Sequence, residues 1–307
     1  MTQHAFFKGR FVPIEEAKIS IMTHAFNYGT GLFEGIRAYW NEERGQAYVF
    51  KMREHFQRFL HNCRILFIEL PYDIDQLCEI SLELFRREGY REDAYLRPLA
   101  YKSSEVIGVR LHDLEADFAA FIIPMGRYIE KEEGARVMVS SFRRIDDNAI
   151  PARGKITGSY VNSAFAKTEA ALSGFDEAIV LNPDGQISEG SSANLFMVRD
   201  GTLITTPLSA NILEGITRAT VMELAKAELG IDTAERSIDR TELYVADEMF
   251  LCGTGVQIVA ITEVDHRPVG TGKIGPIVSK LREIYFGIVR GENERYLHWC
   301  TPVFPER

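Results

Sequence analysis

The chain has 307 residues, 46% hydrophobic and 26% charged, which suits a packed core and excludes a disordered or fibrous protein. Lys and Arg total 35 against 44 Asp and Glu, a formal charge of −9, and no stretch forms the basic stripe that a phosphate backbone requires, so nucleic acid is not an expected partner. The longest apolar run, Phe118 to Met125, is far short of the roughly 20 residues that span a bilayer, and the polar start MTQHAFFKGR lacks a signal-peptide core, so a cytoplasmic protein with no membrane partner is expected.

In chain order, YVFKMREHFQRFLHNCRIL reads as a short strand running into an amphipathic helix, and YDIDQLCEISLELFRREG as a second helix closed by Gly89. AYLRPLAY and DFAAFIIPM supply β-rich segments. PMGRYIEKEEG, residues 124–134, is the clearest shift in composition. It marks a linker at 125–134 between an N-terminal domain of residues 1–124 and a C-terminal domain of residues 135–307. Beyond it come ARVMVSSF, EAIVLN and the pair NLFMV and TLITT, joined through Arg199-Asp200-Gly201, where Asp-Gly signals a hairpin. A helix is predicted over Ile216 to Leu229, stopped by Gly230, and another over GPIVSKLREIYFGIV. Strands and helices do not alternate strictly, which predicts two α+β domains and not a doubly wound sheet.

Several familiar patterns fail on inspection. Gly29, Gly31 and Gly35 have the spacing G-x-G-x-x-x-G, which is not that of a dinucleotide loop, and Gly270-Thr271-Gly272-Lys273 lacks the Ser or Thr of a phosphate-binding loop. His55 and His61 do not share a helix face as metal-binding pairs do, and no metal is expected. Cys63, Cys78, Cys252 and Cys300 stand far apart, with no C-x-x-C, and read as isolated thiols.

Two segments hold together better. Lys155 lies in ARGKITGSY, with glycines near it and a phenol at Tyr160. Downstream come ISEGSSANLF from Ile187, ITT from Ile204 and LEGITR from Leu213. Gly215-Ile216-Thr217 opens a predicted helix, whose first amides and dipole make an anion site, and Thr217 adds a hydroxyl. The spaced runs E-x-S-x-x-N-L-F, I-x-T and L-x-G-I-x-R resemble the signature of the class IV, pyridoxal-phosphate-dependent aminotransferases.

The resemblance implies a fold-type IV enzyme: a smaller N-terminal α/β sandwich and a larger C-terminal pseudo-barrel, with the cofactor pyridoxal 5′-phosphate (PLP) between them. It makes Lys155 the Schiff-base lysine, whose released amine carries the proton between Cα and C4′. Glu189 is implied to face the pyridine nitrogen and keep it protonated, so that the ring acts as an electron sink. Tyr160 is implied to donate to the ring's O3′. Arg58, Leu213, Gly215, Ile216, Thr217 and Thr254 complete the implied cofactor set, with Arg58 bringing a full charge to the phosphate.

Class IV also contains D-amino-acid and (R)-amine transaminases and aminodeoxychorismate lyases. The blocks from His24 to Tyr39 and from Ala94 to Leu99 are similar to those of the branched-chain-amino-acid aminotransferases, whereas the D-amino-acid and lyase branches usually carry Gly-Asp at Gly29-Thr30. That branch implies a side-chain pocket shaped by Phe33, Gly35, Tyr128 and Tyr160, with Tyr28 and Val109 supplied by a neighbouring subunit. Such an apolar lining favours L-leucine, L-isoleucine and L-valine. It further implies that amides at Thr254 and Gly255, with Tyr95 and Arg97, take the α-carboxylate. The second carboxylate of 2-oxoglutarate falls to Arg97 or to the hydroxyls of Tyr95 and Tyr28. The shared pocket implies a homodimer at least, or a hexamer. Two departures stand out: Thr157-Gly158-Ser159-Tyr160 in place of Gly-Gly-Asn-Tyr, and Gly255 where alanine is common.

Overall fold

The computed structural model describes residues 3–126 and 134–305. These fall into two units, residues 3–126 with 154–158 and 287–305, and residues 134–153 with 159–286. Two segments that a boundary at 135 would place in the C-terminal part therefore group with the first unit. The expected linker lies mostly on residues outside those described.

The first unit comprises β1 (His4–Phe7), β2 (Arg10–Pro13), α1 (His24–Tyr28), β3 (Gly31–Phe33), β4 (Ile36–Asn41), β5 (Gln46–Phe50), α2 (Met52–Cys63), α3 (Ile74–Glu88), β6 (Ala94–Lys102) and β7 (Ala116–Pro124). They form an antiparallel sheet in the order β5-β4-β6-β7-β1-β2, with β3 also on β6 and a further strand, Cys300–Pro302, on the outer edge of β5. The predicted strand-into-helix is β5 running into α2, turned at Lys51 with φ 46°. Helix α2 buries Met52, His55, Phe56, Phe59, Asn62 and Cys63, a stripe at helical spacing, and each fully buried Phe contributes about 1.5–3 kcal/mol. Helix α3 begins in a capping box: the Asp73 carboxylate accepts from the Gln76 amide at 2.8 Å and the Gln76 side chain accepts from the Asp73 amide at 2.9 Å. It ends at Gly89, as the sequence predicts, in the left-handed conformation with φ 62°.

The second unit holds β8 (Ala135–Arg143), α4 (Tyr160–Leu172), β9 (Glu177–Leu181), β10 (Ile187–Gly190), β11 (Asn194–Arg199), β12 (Thr202–Thr205), α5 (Ile216–Leu229), β13 (Thr233–Glu235), β14 (Glu248–Gly253), β15 (Gln257–Val264) and β16 (Arg267–Pro268). Helix α6 spans Pro276–Val289. The sheet order is β10-β9-β8-β15-β14-β11-β12-β13, with β8 parallel to both β9 and β15. Its two ends approach each other: the Ile187 amide donates to the Ile238 carbonyl at 2.9 Å, and Gln186 bridges Asp239, just past β13. The sheet thus curls into the expected pseudo-barrel around Val137, Ile179, Leu195, Met197, Leu251 and Ile261. Strand β11 is buried on both faces, because Phe196 stacks on Phe250 at 4.9 Å on the side opposite Leu195 and Met197, which is why NLFMV reads as an unbroken apolar run. The β11–β12 hairpin turns on Asp200 and Gly201, both with positive φ, as a two-residue Asp-Gly loop requires. All four cysteines are buried and free.

Candidate active site

Lys155 belongs to the first unit, on an irregular segment laid against β3. Ile156 bridges Leu32, and the Phe33 amide donates to the Lys155 carbonyl at 3.3 Å. Its φ of 47° is the left-handed region, which a residue with a side chain holds only where its surroundings fix it, at a cost of about 1–3 kcal/mol. Gly154 is tight against a protein neighbour, whereas Gly158 has room for an ordinary contact. A Cβ on Gly154 would lie 3.0 Å from the Ile156 side chain, and one on Gly158 would lie 3.4 Å from the Gly29 carbonyl oxygen. Gly154 makes room for the Ile156 side chain.

The Lys155 Nζ lies 4.7 Å from the centre of the Phe33 ring. The Arg97 guanidinium lies 4.4 Å from the same ring and donates to the Tyr95 hydroxyl at 3.1 Å. Arg97 Nε is buried with no hydrogen-bond partner among the described residues. Gly35 is required because a Cβ there would fall 2.0 Å from the Tyr95 hydroxyl. Phe33, Gly35, Tyr95, Arg97 and Lys155 are therefore brought together.

Arg58, on α2, meets a partner the sequence reading missed. Its Nε and Nη2 donate to the two oxygens of Glu34 at 2.7 and 2.8 Å, and His55 Nδ1 lies 2.9 Å from Glu34 Oε2. Glu34 is 0% exposed. Burial alone would raise its carboxyl, but the Arg58 charge and the hydrogen bonds from His55 and Arg58 outweigh it and hold the group well below the usual carboxylate range. Burial lowers His55, against the pull of Glu34, so the ring is neutral and its Nδ1 carries the donated proton. The overlooked signal was a lone acid inside the apolar run from Leu32 to Tyr39.

Tyr28 and the loop bearing Val109 are tied together in this unit. The Gly108 amide donates to the Tyr28 hydroxyl at 3.2 Å, and the His24 ring joins Thr30 Oγ1 at 2.8 Å to the Gly108 carbonyl at 2.9 Å. Val109, next along the loop, is 90% exposed. Thr30, the residue that differs from the Gly-Asp branches, thus helps hold the loop bearing Val109.

In the second unit, Glu189 is buried and fully engaged. Arg144 Nη2 donates to its Oε1 at 2.6 Å, Asn194 Nδ2 to its Oε2 at 2.8 Å, and the Leu213 amide reaches both oxygens at 3.3 Å. Arg144 is itself fixed by the Asn211 carbonyl at 3.0 Å. Asn194 also donates to the Leu213 carbonyl at 3.0 Å, and its Oδ1 would lie 2.0 Å from a Cβ on Gly215. Gly215 is the residue from which α5 starts, with no side-chain cap, followed by Ile216 and a buried Thr217. Thr254 and Gly255 form the turn between β14 and β15, and β14 pairs with β11 so that Cys252 faces Asn194. Tyr160 is half-buried at the start of α4. Tyr128 lies outside the described residues.

The residues present suit PLP. The first unit holds an amine on a fixed backbone and an oriented guanidinium, and the second holds a buried carboxylate braced by arginine and a helix start without a side-chain cap, the kinds of group that PLP needs.

The Amino-transferase class IV family matches residues 31–264. A probable branched-chain-amino-acid aminotransferase of Aquifex aeolicus is 51% identical over 300 residues, covering 98% of this chain and 96% of that protein. The crystal structure of a branched-chain aminotransferase from Thermoproteus uzoniensis with norvaline superposes with a TM-score of 0.95 at 44% identity, covering 99% of this chain and 100% of that one. The PLP form of a branched-chain amino acid aminotransferase from Thermobaculum terrenum does so with a TM-score of 0.94 at 36% identity, covering 99% of each chain. The chain belongs to the class IV aminotransferases, enzymes of pyridoxal phosphate, and within them to the branched-chain-amino-acid aminotransferases.

Proposed function

We propose that this chain moves the amino group of L-leucine, L-isoleucine or L-valine to 2-oxoglutarate in a ping-pong sequence, with Lys155 as the catalytic residue. The observation that carries this reading is the meeting at Phe33 of the Lys155 amine and the Arg97 guanidinium. When bound, PLP supplies the carbonyl that takes up the amino group and the ring that makes the Cα proton acidic.

Lys155 would hold the cofactor by its carbonyl carbon, and its free amine would carry the proton between Cα and C4′. Glu189 would keep the ring nitrogen protonated, and Arg144 aims Glu189. Arg58, the segment from Leu213 to Thr217 that leads into α5, and Thr254 would take the phosphate, and Tyr160 would take the ring hydroxyl. The amides of Thr254 and Gly255, with Tyr95, take the α-carboxylate, while Phe33, Gly35, Tyr128 and Tyr160 line the side-chain pocket. For the second carboxylate of 2-oxoglutarate we choose Arg97, because its buried Nε has no partner among the described residues.

Assembly as a homodimer at least is supported by the exposed Val109, tied through Gly108 to Tyr28, where the neighbouring subunit would use both. No helix among the described residues is long and apolar enough to cross a membrane.

The test is the visible absorption of the purified, PLP-loaded protein. L-leucine alone should bleach the yellow band and 2-oxoglutarate should restore it. Bleaching only by D-alanine or an (R)-amine, or an absent band once PLP is supplied, overturns the reading. Lys155→Ala should abolish both changes in a protein that stays folded.

A further inference from the structure

Glu34 is a carboxylate at full burial, and its position is not one a core would choose for packing. It stands between Phe33, whose ring neighbours the Lys155 amine, and Gly35, which lies against the Tyr95 hydroxyl. It is fastened on both its main chain and its side chain. Its amide donates to the Pro98 carbonyl at 3.0 Å, and the preceding amide, of Phe33, donates to the Lys155 carbonyl. Its carboxylate takes the Nε and Nη2 edge of Arg58, and Oε2 also takes the proton of His55, three residues before Arg58 on the same helix. A guanidinium engaged along that edge has its plane fixed and its Nη1 directed away from Glu34, unlike a lysine, which would remain a rotating point charge. The Lys155 charge acts on His55 as well, so amine, imidazole, carboxylate and guanidinium lie within electrostatic reach of one another.

We propose that Glu34, supported by His55, is a positioning residue that sets the Arg58 guanidinium for the cofactor's phosphate, in register with the segment carrying Lys155. This rests on the reading above that Arg58 meets the phosphate. Glu34 touches neither cofactor nor substrate in this scheme. It acts through Arg58, and the two consecutive residues Phe33 and Glu34 fix how far the amine stands from the phosphate cation.

The experiment separates this role from a merely structural ion pair by comparing two ligands that differ only in the phosphate. The protein is stripped of PLP, and the dissociation constants of PLP and of pyridoxal are measured by absorption titration for the unmodified chain, Arg58→Ala, Glu34→Gln and the double variant. Arg58→Ala should lower the preference for PLP over pyridoxal. Glu34→Gln should weaken PLP by about 10–100-fold and pyridoxal by less than about threefold, the size of effect that loss of an orienting partner has elsewhere. In the Arg58→Ala background, Glu34→Gln should add no further loss of preference. If Arg58→Ala leaves the preference unchanged, the placement of Arg58 is overturned and the proposal with it. If Arg58→Ala lowers it and Glu34→Gln weakens both ligands alike, Arg58 keeps its place and the positioning role is overturned. Should Glu34→Gln not fold, His55→Gln leaves the Glu34–Arg58 pair in place: a fall in preference of about threefold supports the proposal, and an unchanged preference overturns it.

Discussion

Replacing Gly215 with alanine asks whether this glycine is there for the helix or for Asn194. The added Cβ would fall 2.0 Å from Asn194 Oδ1 and 3.1 Å from Arg218 Cβ. The second contact needs a shift of only a few tenths of an ångström, so relief comes from Asn194. That side chain is buried, and moving it breaks its hydrogen bonds to the Glu189 carboxylate at 2.8 Å and the Leu213 carbonyl at 3.0 Å. One bond to a charged acceptor and one to a neutral acceptor are together worth about 2–4 kcal/mol net. The backbone at Gly215, φ −69° and ψ 129°, is open to alanine, whose stiffer unfolded chain returns about 0.4–1 kcal/mol. The expected loss is about 2–3 kcal/mol, read as a shift of the urea midpoint of the cofactor-free protein. In an Asn194→Ala background the clash is gone, and Gly215→Ala should then cost less than about 0.5 kcal/mol. An equal loss in both backgrounds would refute the reasoning and return the glycine to a requirement of the helix start.

Arg144→Met leaves the Glu189 carboxylate buried without its cation, and should cost about 3 kcal/mol of stability by urea unfolding, together with a weaker hold on PLP. Gly255→Ala meets nothing within 4 Å and should leave the melting midpoint unchanged; a rise in the KM for L-leucine alone would place the carboxylate at this turn. Acid should destabilise the first unit in two stages. His55 is lowered in the folded chain, so its contribution is complete above about pH 6.5 and is lost as pH falls, because the unfolded chain binds the proton first. Glu34 is lowered as well, so its contribution is present above about pH 4.5 and is lost below it. Urea midpoints measured from pH 8 to pH 5 should fall less steeply in His55→Gln than in the unmodified chain, and equal slopes would count against the burial argument.

What the sequence discloses is local. Asp73 and Gln76 are three residues apart, Gly89 and Gly230 stop helices by a conformation of their own, and Asp200-Gly201 turns a hairpin unaided. The spaced motif from Glu189 to Arg218 is also readable, because Glu189, Asn194 and Gly215 interlock with the backbone of Leu213, and the types of those three residues are dictated by one another. The partners that orient the chemistry are hidden because topology selects them. Arg144 stands 45 positions before Glu189, and Arg58 stands 24 after Glu34, with no periodicity linking either pair. The grouping of 154–158 with the first unit is hidden for the same reason, since its partners lie more than a hundred positions earlier: Ile156 bridges Leu32, the Phe33 amide donates to the Lys155 carbonyl, and the Gly158 amide donates to the Gly29 carbonyl.

The strand Cys300–Pro302 has a consequence for how the chain is made. Strand β5, buried along its whole length, pairs with it, and Gln46 exchanges two hydrogen bonds with the backbone of Phe304. During synthesis the second unit emerges before these residues do, so QAYVF waits as an open, apolar sheet edge while some 250 further positions are translated. The chain then depends on late closure of an early-made sheet, and a nascent form halted before residue 300 should pair that edge with another copy or require a chaperone to cover it.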